Sequence, residues 1–173
     1  PIDTGSSVGR LMRSILVDFS QFERELISER TRDKRSAMAK KGKWAGGPPV
    51  LGYDADEATK KLHANAAEAK QVQLLYETYL KTKSLSKTAI LLNKQGLRMK
   101  KWTTREGNMR GGRRFNKANL DYVFRNPVYI GKISHKGDVY EGEHKGIVEP
   151  LIFERVGRML TANGKKNSSP NRD

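Results

Sequence analysis

The chain has no cysteine, which excludes disulfides and thiolate metal sites and fits a reducing compartment. Long apolar runs are missing too. No segment approaches the roughly 20 consecutive apolar residues of a membrane span, and the start lacks the charged and apolar regions of a signal peptide. Acidic residues are scarce: 19 Asp and Glu face 34 Lys and Arg over 173 residues, a formal charge of +15 with a pI near 10.1. Such an excess speaks about partners more than fold, and without a membrane segment it points to nucleic acid. Catalytic signatures are also few. His63, His135 and His144 stand at no ligand spacing, and Gly107, Gly111 and Gly112 lack the Gly-Lys-Ser/Thr ending of a phosphate-binding loop. No Gly-x-Ser-x-Gly elbow occurs, so no metal, no cofactor and no complete active site are expected. The first residue is Pro1, not Met, and the expectation is a processed or excised piece of a longer protein.

What the chain has is a long helix signal over residues 5–42. Val8, Met12, Ile15, Phe19, Phe22 and Leu26 recur at steps of four and three, the pattern of a helix packed lengthwise on a partner helix. After Ile27 the apolar residues nearly stop, and Arg30, Arg32, Lys34, Arg35, Lys40, Lys41 and Lys43 follow against only Glu29 and Asp33. A continuous helix of this length would span about 57 Å. Its first half calls for a protein partner and its second for a polyanion. Gly46, Gly47, Pro48 and Pro49 cannot continue a helix, so it should stop there.

Beyond that break the signals are shorter. Asn65, with Glu68 three residues on, caps a helix over residues 66–81 whose inner face is Val72, Leu75, Tyr76, Tyr79 and Leu80. Ser84 caps the next, which turns Leu85, Ala89 and Leu92 inward and ends at Gly96, with Leu97 packing back. Residues 97–114 read as a flexible basic loop, holding Arg98, Lys100, Lys101, Arg105, Arg110, Arg113 and Arg114 against Glu106 alone. Asn116 then caps a short helix, with Phe115 and Leu120 placed as a hydrophobic staple and Pro127 ending it. Residues 129–134 and 139–143 read as a hairpin around Lys136-Gly137, and a last helix starts near Pro150 with Ile152, Phe153, Val156, Met159 and Leu160 on one side. The end, residues 163–173, reads as a mobile tail. The fold class expected is mainly α with a small β hairpin (α+β), divided at residues 1–45, 46–162 and 163–173.

Two short helices joined through a basic segment have the make-up of a helix-turn-helix-like reader whose second helix enters the major groove of double-stranded DNA. Leu120, Val123 and Phe124 would face the core, leaving Lys117, Asn119, Asp121 and Arg125 outward. Lys suits guanine edges, Asn adenine, and Asp accepts from cytosine. A solvated surface loop is the ordinary meaning of a charge run. Here two same-sign runs, one with Arg32, Arg35, Lys40 and Lys43 and one with residues 97–114, flank a Gly/Pro linker and could follow one duplex.

Several stretches together resemble one family. Gly9-Arg10-Leu11-Met12, then Gln21-Phe22-Glu23-Arg24-Glu25-Leu26-Ile27-Ser28-Glu29-Arg30-Thr31, resemble the end of the catalytic domain of serine recombinases, the group of resolvases, invertases and large integrases. Pro48-Pro49-Val50-Leu51-Gly52-Tyr53, residues 85–97, and Phe124-Arg125-Asn126-Pro127-Val128-Tyr129-Ile130-Gly131 resemble the "recombinase" domain of the large members. The resemblance implies site-specific recombination without a cofactor: a serine attacks a phosphodiester, forms a 5'-phosphoserine link, and strands exchange within a tetramer. It implies that Arg24 supports the active site and that Met12, Ile15, Phe19, Phe22, Glu23 and Leu26 form a dimer interface. Ser6, Ser7 and Ser14 do not match the nucleophile, so this piece is expected to bind DNA without cutting, in the cytoplasm of a bacterial host. A chain without Cys cannot contain the zinc ribbon usual in large members. The rival expectation is a non-catalytic dimeric DNA-binding regulator.

Overall fold

The computed structural model describes residues 6–104 and 106–168. They fall into two compact units, Pro1–Met38 and Ala39–Asp173. Over its described residues the first is one helix, α1 (Ser7–Lys40), whose last two residues belong to the second. Ser6 starts it by accepting the Gly9 N–H on its hydroxyl (3.0 Å). Gly42 closes it with φ +69°. A side chain there would collide with the carbonyl of Glu141, so the left-handed turn and the close approach both require glycine. The helix therefore ends at Lys40, ahead of the Gly/Pro run where the sequence places its stop. Glycine in a left-handed cap suffices, and the prolines come later.

The second unit runs β1 (Tyr53–Ala55), β2 (Leu62–Ala64), α2 (Ala66–Thr82), α3 (Leu85–Lys94), β3 (Lys101–Thr103), β4 (Met109–Gly111), α4 (Lys117–Arg125), a 3₁₀ turn (Pro127–Ile130), β5 (Lys132–His135), β6 (Asp138–Glu141) and α5 (Pro150–Ser168). The strands form three separate antiparallel ribbons, β1 with β2, β3 with β4 and β5 with β6. The α+β class holds, with three ribbons where one hairpin is expected. The expected hairpin begins at Lys132; Tyr129 and Ile130 belong to the 3₁₀ turn, because Pro127 and the Asn126 cap start a tight helical turn. Its tip is Lys136 (φ 53°) and Gly137 (φ 94°), the two left-handed residues a type I′ turn needs. Helix α5 continues to Ser168, past the point where a tail is expected, and residues 169–173 lie outside those described.

Caps place most of these elements. Asn65 accepts from the Glu68 N–H (3.2 Å) and Ser84 from the Lys87 N–H (3.5 Å). At the end of α3 the Leu97 N–H bonds to the Leu92 carbonyl and the Gly96 N–H to the Asn93 carbonyl (both 3.1 Å), a Schellman closure around Gly96. Lys83 ends α2 in the left-handed region (φ 53°), a conformation shared by Lys60 (φ 60°) at the β1–β2 turn.

The core gathers Val72, Leu75, Tyr76 and Tyr79 of α2, Leu92 of α3, Leu120, Val123 and Phe124 of α4, and Val156 and Leu160 of α5. Phe124 sits 4.9 Å, ring centre to ring centre, from both Tyr76 and Tyr79, contacts worth about 0.5–1.5 kcal/mol each beyond area burial. Phe115 and Leu120 are both buried, as the staple requires. Tyr53 Oη lies 3.1 Å from the Val128 carbonyl and 3.0 Å from that of Lys145, sharing its one proton between them. Burial pushes the Tyr53 hydroxyl up to about 12. His144 packs edge-on to Tyr53 and its Nε2–H donates to the Val128 carbonyl (2.8 Å). Burial holds its pKa below the ordinary 6.5. His144 is thus a packing histidine, as its isolated spacing suggests.

Candidate nucleic-acid interface

The basic segment over residues 97–114 is an ordered ribbon, where the sequence reading expects a flexible loop. Trp102, Thr103 and Thr104 favour extended backbone, and Gly107 (φ 82°) makes the turn. Trp102 pairs with Arg110 and Thr103 with Met109. Pairing continues outward, with Met99 N–H to Arg113 O (3.0 Å), Gly112 N–H to Lys100 O (3.0 Å) and Thr104 N–H to Asn108 O (2.8 Å). Gly111 packs against the Trp102 ring with no room for a side chain. Arg105 lies outside the described residues.

Strand alternation separates two neighbouring lysines that look equivalent in sequence. Lys101 is exposed. Lys100 is 8% exposed and donates to Asp54 and Glu68, both at 2.7 Å. Burial pushes the Lys100 pKa down, but the two carboxylate hydrogen bonds more than offset this and leave it above 10.5. The Lys100 hydrogen bond in turn holds Asp54 below the usual carboxylate range. Lys100 is therefore removed from the DNA-contacting set, because its ammonium already serves two carboxylates. Glu68 also accepts the Gly52 N–H (2.9 Å), so its carboxylate braces the ribbon in place of closing a capping box on Asn65. Arg98 is half-buried and turns back on α3, donating from Nη1 to the carbonyls of Leu97 (2.6 Å) and Asn93 (3.4 Å).

On α4, Leu120, Val123 and Phe124 face inward as expected, and Lys117 and Arg125 are exposed. Asn119 is not a free reader. Its Oδ1 accepts the Asn116 N–H (2.8 Å) and its Nδ2 donates to the Arg114 carbonyl (3.0 Å), so its amide closes the helix cap. Asp121 accepts from Arg125 Nε (3.0 and 3.1 Å), an exposed pair worth about 0.5 kcal/mol that a phosphate could displace. Tyr122, 66% exposed, lies on the outer face, one helical turn from Ala118 and Arg125. The sequence reading passes over it, although its place opposite Leu120, Val123 and Phe124 follows from helical spacing. Between this face, the ribbon and residues 48–51 lies a groove of about 780 Å³, with Met99, Trp102, Met109, Tyr122 and Tyr129 among its lining and Lys100, Arg110 and Arg113 as its charged residues. Lys101, Arg110, Arg113, Arg114 and Lys117 are all exposed, Arg110 and Arg113 in the groove lining.

In the first unit, Arg24, Glu23, Arg32 and Arg35 are exposed; in the second, Lys40 at the helix end is exposed and Lys43 half-buried. Val8, Met12, Ile15, Phe19 and Phe22 are each half or more exposed, and Leu26 is half-buried. No helix among the described residues is long and apolar enough to cross a membrane. No group of three potential metal ligands occurs among them.

The family model named Recombinase matches residues 66–163, more than half of the chain, and that of the Resolvase N-terminal domain matches residues 1–44. The chain belongs to the serine recombinases. The chain is 38% identical over 81 residues to the serine recombinase gin of Escherichia phage Mu, covering 47% of this chain and 42% of that protein. It is 31% identical over 81 residues to the DNA-invertase of Enterobacteria phage P7, covering 47% and 44%. The match thus spans less than half the length of these relatives. Its fold is similar to that of part of the protein in a crystal structure of an LSR–DNA complex, with TM-score 0.64, 23% identity, and coverage of 82% of this chain and 40% of that one. A structure described under the sequence requirements of the Listeria innocua prophage attP site gives TM-score 0.59 and 22% identity, covering 75% and 51%. The span matched by the Recombinase model, residues 66–163, thus carries both the ribbon and α4.

Proposed function

We propose that this chain is the DNA-binding portion of a site-specific recombinase that cuts and rejoins double-stranded DNA through a 5'-phosphoserine intermediate. The observation that supports it most is the braced ribbon: Lys100 fixes its base to α2 and β1, while Lys101, Arg110, Arg113, Arg114 and Lys117 stand exposed on an ordered frame. Charges fixed in advance lose less freedom on meeting phosphates than charges on a mobile loop. The ribbon and α4 grip the attachment site, and Arg32, Arg35 and Lys40 of α1 add phosphate contacts. The apolar seam with Met12, Ile15, Phe19, Phe22 and Leu26, flanked by Glu23, packs on a second copy. Arg24 supplies positive charge where negative charge develops on the phosphoryl oxygens during cleavage. Ser6, Ser7 and Ser14 do not match the family's attacking serine, and on that ground this chain alone binds without cutting, in a bacterial cytoplasm.

The test is a salt titration of binding to a labelled duplex. Replacing Arg110, Arg113 and Arg114 by Ala should weaken binding to every sequence and flatten the log-log salt slope by about 2.7, near 0.9 per lost phosphate contact. An unchanged slope would overturn the ribbon as the phosphate-binding element.

A further inference from the structure

The joint between α3 and α4 is closed by one side chain. Asn93, in the last turn of α3, donates from Nδ2 to the Phe115 carbonyl (2.8 Å) and accepts the Phe115 N–H on Oδ1 (2.9 Å). The partners fix the orientation of the amide, since a carbonyl only accepts and an N–H only donates. Phe115 directly precedes the N-cap of α4, and its ring is buried. Both of its backbone polar groups are thus bound by one residue 22 positions away, as a neighbouring strand would bind them. Beside it, Asn119 holds the Arg114 carbonyl and the Asn116 N–H. Residues 114–116 are therefore gripped from α3 on one side and α4 on the other.

Two hydrogen bonds to one residue, one on each of its flanking peptide units, resist rotation as well as displacement, whereas a single bond acts as a swivel. Phosphate contacts through long Lys and Arg side chains tolerate a few degrees of pivot. Base-edge contacts, which depend on directional geometry within a groove, do not. We propose that Asn93 is a positioning residue for sequence discrimination: by clamping Phe115 it sets the rotation at which the exposed face of α4 meets base edges. This rests on the reading of α4 as a DNA-facing helix. Asn93 itself touches no DNA.

The experiment uses the full chain and a duplex pool with a randomised centre, from which a preferred duplex is selected and compared with a scrambled one. Asn93→Asp keeps the acceptor for the Phe115 N–H and turns a second acceptor toward its carbonyl. Asn93→Ala removes both bonds. Ile133→Ala, at a buried position of β5, destabilises the unit without touching the joint. Binding is measured below all unfolding midpoints, and Asn93→Asp keeps the test open if Asn93→Ala does not fold. In the Asn93 variants the preferred-to-scrambled affinity ratio should fall roughly tenfold, with scrambled affinity held within about twofold because phosphate contacts survive. Ile133→Ala should keep the parental ratio despite its lower midpoint. Asn93 variants that also keep the ratio, or that lose scrambled and preferred binding equally, overturn the inference. A chain that binds the pool with a steep salt slope yet enriches no sequence overturns it too, while leaving the ribbon as the phosphate-binding element.

Discussion

Residues 6–38 and residues 39–168 treat their apolar side chains in opposite ways. In the first unit Phe19 is 58% exposed and Phe22 54%, whereas in the second Phe124 is fully enclosed by two tyrosine rings. The second unit also leaves no buried side-chain polar atom without a partner among the described residues. A unit with its own core and closed polar accounts can stand alone. A helix with an open apolar seam calls for another surface. Stability should therefore reside in the second unit, and association in the first.

The largest test sets one substitution against itself. Phe124→Ala should cost about 3–5 kcal/mol in chemical denaturation. Phe19→Ala should change the stability of the single chain by only about 0.5 kcal/mol and should instead weaken self-association in sedimentation velocity. Equal costs at the two sites would erase the distinction. Next in size is Lys100→Met, which leaves Asp54 and the half-buried Glu68 without their cation and should cost on the order of 3 kcal/mol. Because it also loosens the ribbon, duplex affinity should fall although no exposed charge is lost; unaltered affinity in the folded variant would show that the ribbon needs no brace.

The smallest effect is a pH slope confined to the second unit. His144 is held below its ordinary 6.5 when folded, so the unfolded chain takes up a proton that the folded chain resists. Its stabilisation is complete above about 6.5 and is lost as pH falls from there toward the folded value. Asp54, held below its ordinary 3.8, contributes the same sign in a lower window. Thermal midpoints against pH should show the upper step, and His144→Gln, which keeps a donor for Val128, should remove it.

Much of the helical frame was legible because short-range chemistry decides it. Asn65, Ser84 and Asn116 mark helix starts by the bonds their side chains make three residues on, and Gly96 marks an end by its left-handed backbone. The seam of α1 is periodic enough to read without a structure. The ribbons were less visible, since β1, β2, β3 and β4 have three residues each, too few for alternation to show. In β3 and β4 the charge run also masks the signal from Trp102, Thr103 and Thr104. Lys100 differs from Lys101 only through Asp54 and Glu68, 46 and 32 positions away. Helical spacing places Asn119 outward, while its amide is committed to a local cap.

Three tight turns carry lysine where the backbone favours glycine or asparagine. Lys60, Lys83 and Lys136 all hold positive φ, at a cost of roughly 1–2 kcal/mol each relative to an unstrained residue. Each turn thus keeps a cation at a corner of the molecule at the expense of backbone strain. Exchanging any of them for glycine would trade charge for conformational ease, so a search for more heat-resistant variants would be drawn to these corners and would strip positive charge from them as it succeeded.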